Sequence, residues 1–126
     1  DMANLKEFKT IRLNLARSKD FPQGSDRHGY TLVAPLDAEG HLDPVAWKKH
    51  RELCRVVRFW GPDEEDVGHL VHRPGGSWAF TYDVKGDEDD ESGFKLQNHL
   101  FRLNEYVSIR DDDETHPFRV VEVNDL

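Results

Sequence analysis

Gly68-His-Leu-Val-His-Arg-Pro-Gly-Gly-Ser-Trp-Ala-Phe-Thr-Tyr-Asp83 is the stretch that decides how this chain is read. Two runs of strand-forming residues flank Arg73-Pro74-Gly75-Gly76, a group of strong turn formers. After the turn, Trp78, Phe80 and Tyr82 alternate with Ala79, Thr81 and Asp83. A side-chain period of two puts those aromatics on one face of a strand. Before the turn, His69 and Val71 share a face opposite to Leu70 and His72. The stretch therefore predicts an antiparallel β-hairpin.

The same alternation extends outward. Over residues 8–16, Ile11, Leu13 and Leu15 alternate with Thr10, Arg12 and Asn14, which reads as a half-buried strand. Turn formers crowd residues 20–29, predicting a long loop, and 30–35 reads as a second strand. Asp43-Pro44 is a helix-start signal, because Asp caps free N–H groups and Pro suits the first helical position. Ala46, Trp47, His50, Leu53 and Cys54 then share one helical face, predicting a short helix over about 44–54. Residues 55–60 read as a strand stopped by Gly61-Pro62. Short strands are expected at 94–96 and 99–103, and a last pair, 106–110 and 117–123, across 111–115. That terminal hairpin resembles those of SH3-like and other small barrels, a likeness of fold that carries no function. The fold class expected is mainly β, a compact antiparallel barrel or sandwich of about eight short strands with one short helix.

The bulk numbers bound the rest. A chain of 126 residues is expected to form one globular domain over 1–126, with 1–7 frayed. Its 33% of charged residues is high, but 10% aromatics argue against disorder. Cys54 is the one cysteine, so no intrachain disulfide forms, and a reducing, cytoplasmic setting is expected. The apolar runs are too short for a membrane span, so no membrane partner is expected. The net charge is −8, yet segments 63–66, 87–91 and 111–114 hold thirteen of the 25 acidic residues. Elsewhere 17 Lys and Arg outnumber the acids, which leaves room for a basic face able to meet an anion. The overall sign disfavours duplex nucleic acid.

No catalytic motif stands out. Seven histidines are present, but His69 and His72 are the one close pair, and an offset of three on a strand sends the rings to opposite faces. No metal site is expected. Asp87, Asp89 and Glu91 alternate as in a calcium loop, yet Ser92 and Asn98 stand where glycine and glutamate are needed. Ser25, Asp26 and His28 are the residue types of a hydrolase triad, but lie too close in sequence for triad geometry and read as a capped turn. Gly75-Gly76 precedes no helix, so no phosphate loop is implied and no cofactor is expected. Cys54 with His50 one turn away reads as a core thiol. An arginine and aromatic set remains: Arg55, Arg58, Trp60, Arg73, Trp78, Tyr82, Arg102, Arg110 and Arg119.

The expectation is a β-domain that acts by binding, first of all another protein, and leaning away from an enzyme. One alternative is a small-molecule site or minor enzyme using a barrel pocket near His69, His72 and Trp78. A second is single-stranded nucleic acid on an Arg and aromatic face. The candidate binding residues are His69, His72, Arg73, Trp78 and Tyr82. The pocket alternative requires two of those side chains to converge, and the platform alternative requires the aromatics of 77–83 to be exposed.

Overall fold

The structure is a computed structural model and describes residues 5–83, 91–92, 96–111 and 114–126, with the backbone alone at 91–92. Strands β1 (Phe8–Leu15), β2 (Ser25–Pro35), β3 (Arg55–Trp60), β4 (Glu65–His72), β5 (Trp78–Tyr82), β6 (Glu91–Ser92), β7 (Tyr106–Asp111) and β8 (Glu114–Asp125) form one antiparallel sheet. The order is β6-β5-β4-β3-β2-β1-β8-β7, so a meander runs to one edge and the terminal hairpin folds back beside β1. The sheet curls into a half-barrel. Strands β6 and β7, at opposite ends of that order, come within 8 Å of each other in Cα distance.

Parity along the strands decides what lies inside. Ile11, Leu13 and Leu15 of β1 face the interior, with Tyr30, Leu32 and Ala34 of β2, Val56 of β3 and Leu70 of β4. Trp78 and Phe80 of β5, Val107 and Ile109 of β7, and Phe118 and Val120 of β8 complete the lining. The Tyr30 ring meets Phe80 at 5.2 Å and Phe118 at 5.1 Å between centroids, tying both halves of the curl together. Gly68 lies opposite Tyr82, where a Cβ would meet the Thr81 carbonyl oxygen at 2.1 Å. Only glycine allows β4 and β5 to approach that closely.

One end of the half-barrel is plugged. Helix α1 (Pro44–Lys49) starts where Asp43 accepts bonds from the Val45 and Ala46 N–H groups. It is shorter than the expected span of 44–54: the chain breaks at His50 and continues as a 3-10 turn, Arg51–Leu53. The tighter turn brings Cys54 into the core and hands the chain to β3. Trp47 is buried, with its indole N–H donating to the Leu70 carbonyl at 2.9 Å. Its ring packs at 6.0 Å from both Trp78 and His72.

Three further expectations are corrected. Strand β2 begins at Ser25, so the loop expected at 20–29 is half strand, because those polar residues extend the β1 ladder past its bulge. The strand expected at 99–103 is an irregular crossover, anchored by Phe101, whose N–H donates to the Gly40 carbonyl at 2.8 Å. The strand expected at 94–96 ends in a 3-10 turn, Leu96–Asn98, and its first two positions lie outside the described residues. Leu96 and Phe101 are both buried, a spacing that suits a crossover anchored at two points rather than an alternating strand. The calcium-loop positions Asp87 and Asp89, and residues 1–4 of the start expected to be frayed over 1–7, also lie outside the described residues.

Candidate functional site

The interior parity that is apolar along most of each strand turns polar at the end remote from α1. Following the same inward positions outward gives His28 on β2, Arg58 and Trp60 on β3, Asp66 on β4, Tyr82 on β5, Asp111 on β7 and His116 on β8. These positions converge because the ladder registers align the strand ends. His28 pairs with Trp60 and Arg58 with Asp66.

Arg58 organises this mouth. It is the buried charged residue of the described core, with 9% of its side chain exposed. Its Nη2 donates to Asp111 Oδ2 at 2.8 Å and its Nη1 to Glu64 Oε2 at 2.7 Å, while Asp66 lies at 3.7 Å. The Asp111 bond crosses the interior, since β2, β1 and β8 separate β3 from β7 in the sheet. The guanidinium also stands 4.5 Å over the Trp60 ring. A buried charge is tolerable only with such partners, and here they come from three elements.

Aromatic rings wall the site around Trp60. The His28 ring meets it edge-on at 4.8 Å and the His116 ring at 5.7 Å. Phe21, from the β1–β2 connection, lies 4.6 Å from His28 and 6.5 Å from Trp60. His116 Nε2 is 3.2 Å from the Glu114 carboxylate at the rim. Between these groups and the loop that carries Lys19, Asp20 and Phe21 lies an open cavity of about 550 Å³.

His28 owes its place to an irregularity. Asn14 pairs with Gly29 but Leu15 pairs with Ser25, so β2 carries three extra residues at the mouth. Such bulges re-aim side chains. Ser25 Oγ and His28 Nδ1 are 2.7 Å apart, and the Arg27 N–H donates to Ser25 Oγ at 3.1 Å. Asp26 is exposed, and its backbone carbonyl accepts from Arg12 Nη2 at 2.9 Å. The group behind the imidazole is thus aromatic rather than a carboxylate, so the three residues belong to the β2 bulge, not to the capped turn expected and not to a triad.

The candidates read from the sequence are split between two faces. His72 and Trp78 come together, with ring centroids 4.4 Å apart, but inside the plugged end beside Trp47. Trp78 and Phe80 are buried, so the aromatic platform of the second alternative has no exposed rings at those positions. Tyr82 is half-buried on the inward face. His69 is on the outer face, 3.5 Å from Asp83 and 3.4 Å from Arg55. It lines a shallow groove of about 380 Å³ with Trp47 and Val71, while His72, Arg73 and Trp78 are not among the lining residues. Arg73 is exposed at the hairpin turn. Phe21, Asp111, Glu114 and His116 carry no local motif in the sequence that marks them as site residues.

Two smaller clusters have local explanations. Ligand atoms of Asp37, Glu39 and His41 lie within 4.8 Å of one another. Asp37 Oδ1, however, accepts from the N–H groups of Glu39, Gly40 and His41 at 2.9, 3.0 and 2.9 Å. Burial works to raise the Asp37 carboxyl, but those bonds outweigh it and hold the group below the usual carboxylate range. The cluster closes a turn. Cys54 is fully buried, and burial first, with Glu52 second, pushes its thiol up to about 12, so it serves as core packing. No described helix is long and apolar enough to cross a membrane. Comparison with protein-family models, with curated proteins and with solved structures finds no match for this chain.

Proposed function

We propose that this protein binds a small organic cation, an amine or guanidinium on a compact frame, in the mouth of the half-barrel. The observation that carries the reading is Arg58 itself. The mouth already holds one guanidinium, against the Trp60 face and between Glu64 and Asp111. It keeps more carboxylate than that group neutralises. Asp20, Asp111 and Glu114 line the cavity, with Glu64 and Asp66 beside Arg58, against Lys19 and Arg58 as the cations. A cleft of one sign with aromatic walls concentrates ligands of the other sign. The volume of about 550 Å³ is within the range of small-ligand pockets.

This reading favours the small-molecule alternative over docking of another protein. Among the described residues the large exposed apolar side chains are four, Val45 on α1, Leu103 and Tyr106 at the entry to β7, and Leu126 after β8, few for a docking face. It also moves the pocket from His72 and Trp78 to Trp60 and His116.

The test is calorimetric titration with methylguanidine, butylamine and tetramethylammonium, with acetate as the anionic control. Binding of at least one cation is expected, weakened by salt and lost in Trp60→Ala that still melts cooperatively. Equal binding of acetate, or cation binding that ignores Trp60→Ala, would overturn the proposal.

A further inference from the structure

Arg58 pairs with Glu64 and Asp111, and Arg55 with Asp83 at 3.7 Å. Three arginines without such a pair stand together. Arg17, Arg27 and Arg119 line a groove of about 680 Å³ on the outer surface, where β8, β1 and β2 meet. Among the described residues, none of these three has a carboxylate oxygen within 4.0 Å. Asp26 is the one acidic residue lining the groove. In a chain of 25 acids and 17 bases, three guanidinium groups gathered in one groove with a single acid make a local excess of positive charge.

The fold assembles them from three separate parts of the chain. Arg119 lies on β8 directly opposite Asn14 of β1. The β2 bulge supplies Arg27, and the connection leaving β1 supplies Arg17. Like charges brought together on neighbouring strands repel, so the arrangement costs stability unless an anion sits among them.

The neutral groups beside them are oriented as donors. Arg12 Nε donates to Asn14 Oδ1 at 3.0 Å, so the Asn14 carbonyl is engaged and its amide N–H₂ is left to donate. Asn14 and Gln23 both line the groove. Arg12 is held 4.4 Å over the Phe59 ring and adds a fourth positive charge behind Asn14. Arg119 uses Nη1 on Asn104 Oδ1 at 2.9 Å and keeps the remaining N–H groups of its fork.

We propose that this groove is a binding site for a phosphoryl group, either the free phosphate ion or a phosphate monoester. Guanidinium forks match phosphate oxygens in pairs, and a dianion with three terminal oxygens can engage several forks together. A carboxylate carries one charge and two oxygens and would leave part of the set unused. The groove lies on the other side of the β1–β2 connection from the mouth. Its ligand class is opposite in charge, so the proposal stands or falls apart from the cation reading.

The experiment is a titration followed by backbone amide NMR, using inorganic phosphate, glycerol phosphate and acetate on the full chain. Phosphate and glycerol phosphate are expected to bind with a Kd of about 1 mM or tighter, with shifts centred on residues 14–17, 23–27 and 119. Tighter binding of glycerol phosphate assigns the site to an ester, and equal binding assigns it to the free ion. The double variant Arg27→Gln with Arg119→Gln should lose at least tenfold in affinity. Should that variant melt early, Arg17→Gln, in the connection outside the ladders, makes the same test with a smaller loss. Acetate binding as tightly as phosphate, shifts equally large at Arg55, Arg73 and Arg102, or unchanged affinity in a folded variant would each overturn the proposal.

Discussion

One end of the half-barrel is filled with rings and methyl groups, the other with charges, and the same strands supply both. At the plugged end Trp47, Trp78 and Leu70 exclude water, and the Trp47 N–H has a carbonyl partner. At the mouth the inward positions are Arg58, Asp66, Asp111 and two histidines. An apolar plug there would serve stability at least as well, because replacing a buried ion pair by well-packed apolar groups is often neutral or stabilising. Stability therefore explains the first end and does not explain the second. The difference locates function, since polar groups retained where burial would be easier mark a site.

The largest effect is expected from Trp47→Ala. The helix docks through that ring and little else of size, and losing a buried Trp side chain costs about 3–5 kcal/mol. A thermal melt should fall by many degrees while cation titration of the remaining folded protein is unchanged. An unaltered melting temperature would show that the plug does not carry stability and would break the comparison.

Arg58→Ala should come next, at about 2–3 kcal/mol, because Asp111 and Glu64 lose their partner. Those carboxylates are partly exposed, which keeps the loss below that of a sealed pair. The double variant Arg58→Met with Asp111→Asn sharpens the point. It removes both charges and should melt within about 1 kcal/mol of wild type. Cation binding should change in both variants. A double variant as unstable as Arg58→Ala would mean that the mouth is a structural network.

The hairpin that revealed the fold gives a smaller effect. Gly75 and Gly76 both have φ of +95°, and an added Cβ at either meets nothing within 4 Å. The cost of valine there is backbone strain alone, roughly 1–2 kcal/mol at either position. Urea unfolding of Gly76→Val should show that loss with an unchanged slope.

That hairpin also marks how far the sequence could be read. Alternation separates the two faces of each strand, but along 78–82 it leaves open which face turns inward, and burial of Trp78 and Phe80 is decided only by the sheet's curl. The mouth was out of reach, because it depends on which strand ends lie side by side. Arg58 and Asp111 are 53 residues apart and meet only through the registers of several ladders. In sequence Arg58 and Trp60 read as an arginine and an aromatic, with nothing local to join them to His116. The one signal that was available is parity followed past the apolar run: His28, Arg58, Asp111 and His116 all continue an inward series. For His28 the turn-former composition of 20–29 hid that series, since bulged strands carry the same residues as loops.

The smallest effect on stability should come from Glu114→Gln, and it is the sharpest test of the contrast between the ends. The Glu114 side chain is 76% exposed and lies 3.2 Å from His116 Nε2. An exposed pair of this kind contributes little, because water screens it and two side chains must be held still to make it. Glutamine keeps the size and removes the charge, so the melt should stay within about 0.5 kcal/mol of wild type. Binding has more to lose, because the carboxylate stands at the rim that a cation must pass. One charge at contact distance in high dielectric contributes about 1 kcal/mol, so methylguanidine affinity should fall about fivefold at low salt. Raising the salt should narrow the gap between the two proteins. Calorimetry at two salt concentrations beside a melt reads both quantities. A lowered melt with unchanged affinity would make the rim structural, and the charged end would then have to be explained by folding after all.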